Sequence, residues 1–161
     1  QYEYFNAWYH VAIRSLLEFW SFDGDYEKLA AKLSPPITPR KAEKAIGLLE
    51  RLKLIRRGKD GTYTLNQNHI TTKKEFRHLA VRAFQKATIE LAGQSIERYS
   101  PQERDISTLT MAIDEDALEH IRLLLEECRA AIQKRVDTVR KPTRVYQLNM
   151  QAYPLTKGAG I

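Results

Sequence analysis

The stretch from Asp25 to Asn66 constrains the fold more than any other part of the chain, because a helix, a breaker, a second helix and a hairpin follow one another in it. DYEKLAAKLS reads as a short amphipathic helix, with Asp25 as its N-cap and Tyr26, Leu29, Ala30 and Leu33 facing inward. Pro35-Pro36 breaks it. Thr38 caps the next helix, and Pro39 at its first position gives up no hydrogen bond that the helix needs. Ala42, Ala45, Ile46, Leu49 and Leu52 form the buried stripe of that helix, which leaves Arg40, Lys41, Glu43, Lys44, Gly47 and Arg51 outward. Two strand-like pieces, Leu54 to Arg57 and Thr62 to Leu65, then flank Lys59-Asp60-Gly61. Asp60-Gly61 offers the positive backbone angles of a tight hairpin.

Upstream, Phe5, Trp8, Tyr9, Ala12, Ile13, Leu16, Leu17 and Trp20 recur in steps of three and four, which predicts one helix over Tyr4–Trp20. Aromatics crowded at that spacing belong to a core, since they dominate burial. A first helix, a helix-turn-helix and a hairpin wing complete a winged-helix unit, expected over residues 1–70.

Charge singles out the same region. The chain carries a formal net charge of +6. Residues 34–74 hold ten Lys or Arg against three acids, so this segment alone is +7 and the remainder is −1. A localised positive field attracts polyanions. In a winged helix the third helix enters the major groove and the wing touches the DNA backbone. Arg40, Lys41 and Lys44 are therefore the expected groove readers, and Arg51, Arg56, Arg57 and Lys59 complete the candidate DNA-binding set. Double-stranded DNA is the expected partner. The competing reading is a solvated basic face or a protein-docking module, and Glu43 and Glu50 on the same helix would repel phosphate.

Residues 71–161 read as a second region. A long helix is expected from Thr72, capped by Thr71 or Thr72, to about Tyr99, with Phe76, Leu79, Ala80, Ala83, Phe84, Ala87 and Leu91 buried and Ser100-Pro101 stopping it. Ile106–Ile113 alternates as a half-buried strand does, and so does Val145–Tyr153. Between them Asp114-Glu115-Asp116 opens a helix, placing acids at its positive end. Its stripe is Leu118, Ile121, Leu125, Cys128, Ile132 and Val139. Two strands alone are marginal in water. They pack on the long helices of their own chain or pair with a second copy. A homodimer through the C-terminal strands and long helices is the favoured expectation, since paired modules read two half-sites.

The sequence points to no reaction. His10, His69, His78 and His120 make no ligand spacing with Cys128 or with each other. Glycine-rich phosphate loops and nucleophile elbows are absent. We expect no catalytic residues, no cofactor and no metal, and no enzyme. Cys128, on an apolar stripe, is expected to be a buried inert thiol. One cysteine excludes an intramolecular disulfide and fits a reducing, cytoplasmic setting. No run approaches the roughly 20 apolar residues of a membrane span, so no membrane partner is expected.

The runs YFNAWYHVAIRSLLEFW, DYEKLAAKLSPPITPRKAEKAIGLLERLKLIRR, DGTYTLNQNHITT, ERDISTLTMAID and VYQLNMQAYPLTK resemble a paralogous bacterial family of unknown function. The resemblance spans Tyr4 to Lys157. It implies a transcriptional regulator in which an N-terminal helix-turn-helix precedes a larger domain, with this chain as that C-terminal domain. A start at Gln1 rather than methionine also predicts a longer parent chain. The resemblance brings no catalytic or ligand residues.

The sequence thus predicts an α+β, mainly helical chain: a winged helix-turn-helix, a long helix and a strand-helix-strand unit for dimerisation or sensing. The expected function is a DNA-binding transcriptional regulator domain. The alternative is a dimerisation or effector-sensing module that does not touch DNA.

Overall fold

Local signals set most helix boundaries. A computed structural model describes residues 2–66 and 74–158, with side chains described for 3–66 and 80–158. The expected caps of the long helix at Thr71 or Thr72, and His69, lie outside these residues, as do the side chains of Phe76, His78 and Leu79. Among the described residues there are five α-helices, a short 3-10 helix and one two-stranded antiparallel sheet, so the chain is α+β and about half helical. The helices are α1 (Trp8–Leu16), α2 (Tyr26–Ala31), α3 (Pro39–Arg51), α4 (Lys74–Arg98) and α5 (Glu115–Val136), and the strands are β1 (Ile55–Arg57) and β2 (Tyr63–Leu65).

Two side-chain caps, Asp25 and Thr38, stand where the sequence put them, and a third is Asp114, in the acidic run expected to open α5. Asp25 accepts from the Lys28 amide at 2.9 Å, Thr38 from Lys41 at 3.3 Å and Asp114 from Ala117 at 2.9 Å. Each satisfies an amide that the first helical turn would otherwise leave without a partner. α3 buries Ala42, Ala45, Ile46, Leu48 and Leu49; Leu48 joins the expected inward stripe, and Leu52, expected in it, is the half-buried C-cap. It packs on α1, α2 and β1.

The continuous helix expected over Tyr4–Trp20 is corrected. The 3-10 helix Tyr2–Asn6 comes first, Ala7 is extended (φ −141°, ψ 133°), and α1 starts only at Trp8. The break lets Tyr4 turn into the core, where 3% of it remains exposed. Burial there pushes its phenol pKa up to about 12, with Arg14 nearby opposing the shift.

Phe22 is fully buried, although it belongs to none of the apolar stripes that helical spacing marks out. Its ring stands 6.0 Å from Trp20, 5.3 Å from Tyr26 and 5.3 Å from Tyr63, so it ties the end of α1 to α2 and the hairpin. With Ile13, Leu29, Ile46, Leu49 and Ile55 it makes the densest part of the core.

α3 ends in a Schellman motif: the Leu54 amide donates to the Leu49 carbonyl at 2.9 Å, and the Lys53 amide to Glu50 at 2.8 Å. This puts Lys53 in the left-handed region at φ +57° and turns the chain directly into β1. The register pairs Ile55 with Leu65, Arg56 with Thr64 and Arg57 with Tyr63. Only Gly61 of the pair read as turn-forming has positive φ, +84°. Asp60 works through its side chain instead, accepting from the Thr62 hydroxyl at 2.7 Å and the Thr62 amide at 3.1 Å.

The strand expectations for Ile106–Ile113 and Val145–Tyr153 are also corrected. Neither segment forms a strand within this chain. Apart from half-buried Met150, their large apolar side chains are exposed, Leu109 at 77% and Tyr153 at 70%. Alternation marks a face that must be covered, and one copy of the chain does not cover it. α5 likewise buries no residue, and Cys128, expected inside, is exposed.

The chain divides into two compact units, Gln1–Gln94 with Lys141–Tyr146 and Ser95–Arg140 with Gln147–Ile161. The first holds the core described above, and α4 joins it through buried Ala80 and a Phe5–Phe84 edge contact at 5.8 Å. Among the described residues no helix is long and apolar enough to cross a membrane.

Candidate nucleic-acid interface

The buried side of α3 determines which residues form its outer side. Successive residues advance by about 100°, so Arg40, Lys44, Gly47 and Arg51 fall on one outer stripe, opposite buried Ala42, Ile46 and Leu49. Lys41 flanks that stripe on one side and Glu43 on the other. Arg40, Lys41, Lys44 and Arg51 are all exposed.

Arg40, Lys41 and Lys44 make no ion pair among the described residues. Arg51 does: its guanidinium meets the Glu3 carboxylate of the 3-10 helix. Sequence reading treated Arg51 like its neighbours, because a partner 48 residues upstream leaves no local signal. The pair anchors the start of the chain to the end of α3, so Arg51 stands in the candidate set with its charge already partly answered.

The first turn of α3 holds two cations and no acid. The N-terminal end of a helix carries partial positive charge, so cations there are disfavoured by about 0.3–1 kcal/mol each at low ionic strength. Folding gains nothing from Arg40 and Lys41 at this end. An anion placed against the same turn would meet both side chains and the positive end of the helix.

The hairpin carries the remaining three residues. Ile55 is buried, while Arg56 and Arg57 are exposed. Arg56 Nε donates to Thr64 Oγ1 across the ladder at 3.2 Å, and the Arg57 guanidinium lies 5.9 Å from the centre of the Tyr63 ring. Each arginine is thus steadied by its cross-strand partner, which the sequence alone did not assign. Lys59 is exposed in the five-residue loop Gly58–Thr62, closed by the Gly58 amide donating to the Thr62 carbonyl at 2.7 Å. A side chain at position 58 would have its Cβ 2.6 Å from Asp60 Oδ1, so it would push the Asp60 carboxylate away from its bonds to Thr62. The bonds from the Thr62 hydroxyl and amide hold the Asp60 carboxyl below the usual range, and burial raises the Tyr63 phenol. Asp60 therefore stays ionised and bonded at neutral pH, which keeps the loop shape.

Among the described residues no group of three His, Cys, Asp or Glu is placed to hold a metal. The arrangement is an exposed basic helix face with a basic hairpin, on a small aromatic core. The chain belongs to the family described as Domain of unknown function (DUF4423), whose model matches residues 1–155. No curated protein and no solved structure matches it.

Proposed function

We propose that this chain is a DNA-binding domain of a transcriptional regulator, with residues 1–70 as a winged helix-turn-helix and residues 71–161 for dimerisation or sensing. Arg40, Lys41 and Lys44 of α3 contact the major groove, and Arg56, Arg57 and Lys59 contact the phosphate backbone, with Arg51 at the edge of the footprint. The observation that carries this reading is the outer face of α3. Two exposed cations without acidic partners, Arg40 and Lys41, occupy the first turn, where cations least help folding, and Lys44 continues their face one turn on; Arg and Lys reach bases and phosphates from such a helix.

Fluorescence anisotropy of labelled random duplex DNA, titrated with the chain at two salt concentrations, tests it. Six phosphate contacts would give a logarithmic salt slope of roughly −5. Charge reversal at Arg40 and Lys44 should abolish most of the binding. Unchanged affinity in that variant would sink the site assignment.

A second reading, a dimerisation or effector-sensing module without DNA contact, is favoured by one specific observation: the C-terminal unit leaves α5 and its flanking segments exposed. It expects no duplex binding at low salt, together with self-association that survives high salt, because apolar burial is not screened.

A further inference from the structure

The strongest unused feature of the molecule is α5. It is 22 residues long and buries no residue in the single chain. Leu118, Ile121, Leu125, Cys128, Ile132 and Val136 nevertheless fall within a narrow arc of its surface, as a seam against another helix requires. Ile132 is 38% exposed and Val136 54%.

Two properties of α5 identify what covers this seam. The first is its charge. From Asp114 to Glu127 the sequence holds six acids and one arginine, and from Cys128 to Arg140 it holds four bases and one acid. The N-terminal half is strongly negative and the C-terminal half positive, so α5 is complementary to a copy of itself running the other way and repels a parallel copy. The second is spacing. The seam is nearly symmetric about residue 127: Leu118 and Val136 lie nine residues to either side, Ile121 and Ile132 six and five, Leu125 and Cys128 two and one. A helix reversed about that point sets apolar residues against apolar residues along its length.

We infer that α5 is the docking face for a second copy of this chain, in an antiparallel two-fold pair with Leu118 against the partner's Val136 and Cys128 close to the axis. The interface is isologous, as two-fold pairs are. This deepens the homodimer proposal and rests on the regulator reading only for its use, the presentation of two basic α3 faces to paired half-sites. The dimer itself stands or falls without DNA.

Sedimentation equilibrium of the full chain, without DNA, across a micromolar concentration range tests the inference. The expected result is a monomer–dimer equilibrium that Ile132→Glu shifts to monomer. Ile132 is exposed in the single chain, so this variant keeps its fold, and circular dichroism checks that. Orientation is tested by charge. Glu115→Lys with Asp116→Lys and Glu119→Lys, and Lys134→Glu with Arg135→Glu, should each weaken the dimer by about tenfold or more. In this register Glu119 lies opposite the partner's Arg135, so all five changes together should restore much of it. The two groups lie about 25 Å apart along one helix, so restoration arises only between antiparallel copies. A chain monomeric throughout the range, a dimer indifferent to Ile132→Glu, or reversals that fail to rescue each other would each overturn the pairing. Duplex binding, measured separately, can succeed or fail in any of these cases.

Discussion

Phe22 carries more of the first unit than its place in the sequence implies. Three rings surround it and none of it is exposed. Phe22→Ala should lower unfolding stability by about 3–5 kcal/mol, measured by urea titration, because the cavity lies where three elements meet. Gly47 gives the opposite sign. It sits in the middle of α3 with nothing within 4 Å of where a Cβ would stand, so Gly47→Ala should stabilise by about 0.5–1 kcal/mol. The same methyl projects from the basic stripe between Lys44 and Arg51. Under the DNA reading it obstructs close approach, so duplex affinity should fall while stability rises. Affinity unchanged in the stabilised variant would mean that α3 does not lie against DNA at that point. Phe22 leaves no signal in the sequence because its burial is decided by residues from other elements. The stripe of α3 was legible because helical spacing alone places it.

Each element was legible in proportion to how local its causes are. Asp25, Thr38 and Asp114 bond to amides three residues away, so their roles follow from sequence. The break at Ala7 and the Schellman turn at Lys53 depend on what packs beneath them, and no local pattern announced either. Of the candidate site, the charges and their outward stripe could be read in advance. The tie between Arg51 and Glu3 and the cross-strand supports of Arg56 and Arg57 could not. His10 links the 3-10 helix to α1, its Nδ1 within 3.1 Å of the Glu3 carbonyl and 3.2 Å of the Tyr4 carbonyl. Burial holds its pKa below the ordinary 6.5, although both carbonyls pull the other way. The unfolded chain therefore takes up a proton before the folded one does. The contribution of His10 is complete above pH 6.5 and is lost as pH falls through its lower folded value. Urea midpoints should drop on acidification within that window, and His10→Gln should flatten that part of the profile. A profile identical in the variant would place the pH dependence elsewhere.

At the scale of the whole molecule, the two units differ in where their stability comes from. The first closes on its own core, with Ile13, Phe22, Leu29, Ile46 and Leu49 all at or below 1% exposure. The second leaves Leu109, Leu124, Val136, Leu148 and Leu155 at half exposure or more. An alternating or striped pattern tells that a face must be covered, and whether the cover is the same chain or another copy is not written in the pattern. Stability that depends on association varies with protein concentration, and stability of a self-contained core does not. Both tryptophans, Trp8 and Trp20, lie in the first unit, so tryptophan fluorescence reports that unit alone. Far-ultraviolet circular dichroism reports all the helices, including the 22 residues of α5. On dilution through the dimer dissociation constant, the dichroism melt should move to lower temperature while the fluorescence melt stays in place. Ile132→Glu should remove the concentration dependence from the dichroism melt and leave fluorescence unchanged. If both signals move together on dilution, the units unfold as one cooperative body. If neither moves, the second unit holds its helix without a partner, and the dimer is not what stabilises it.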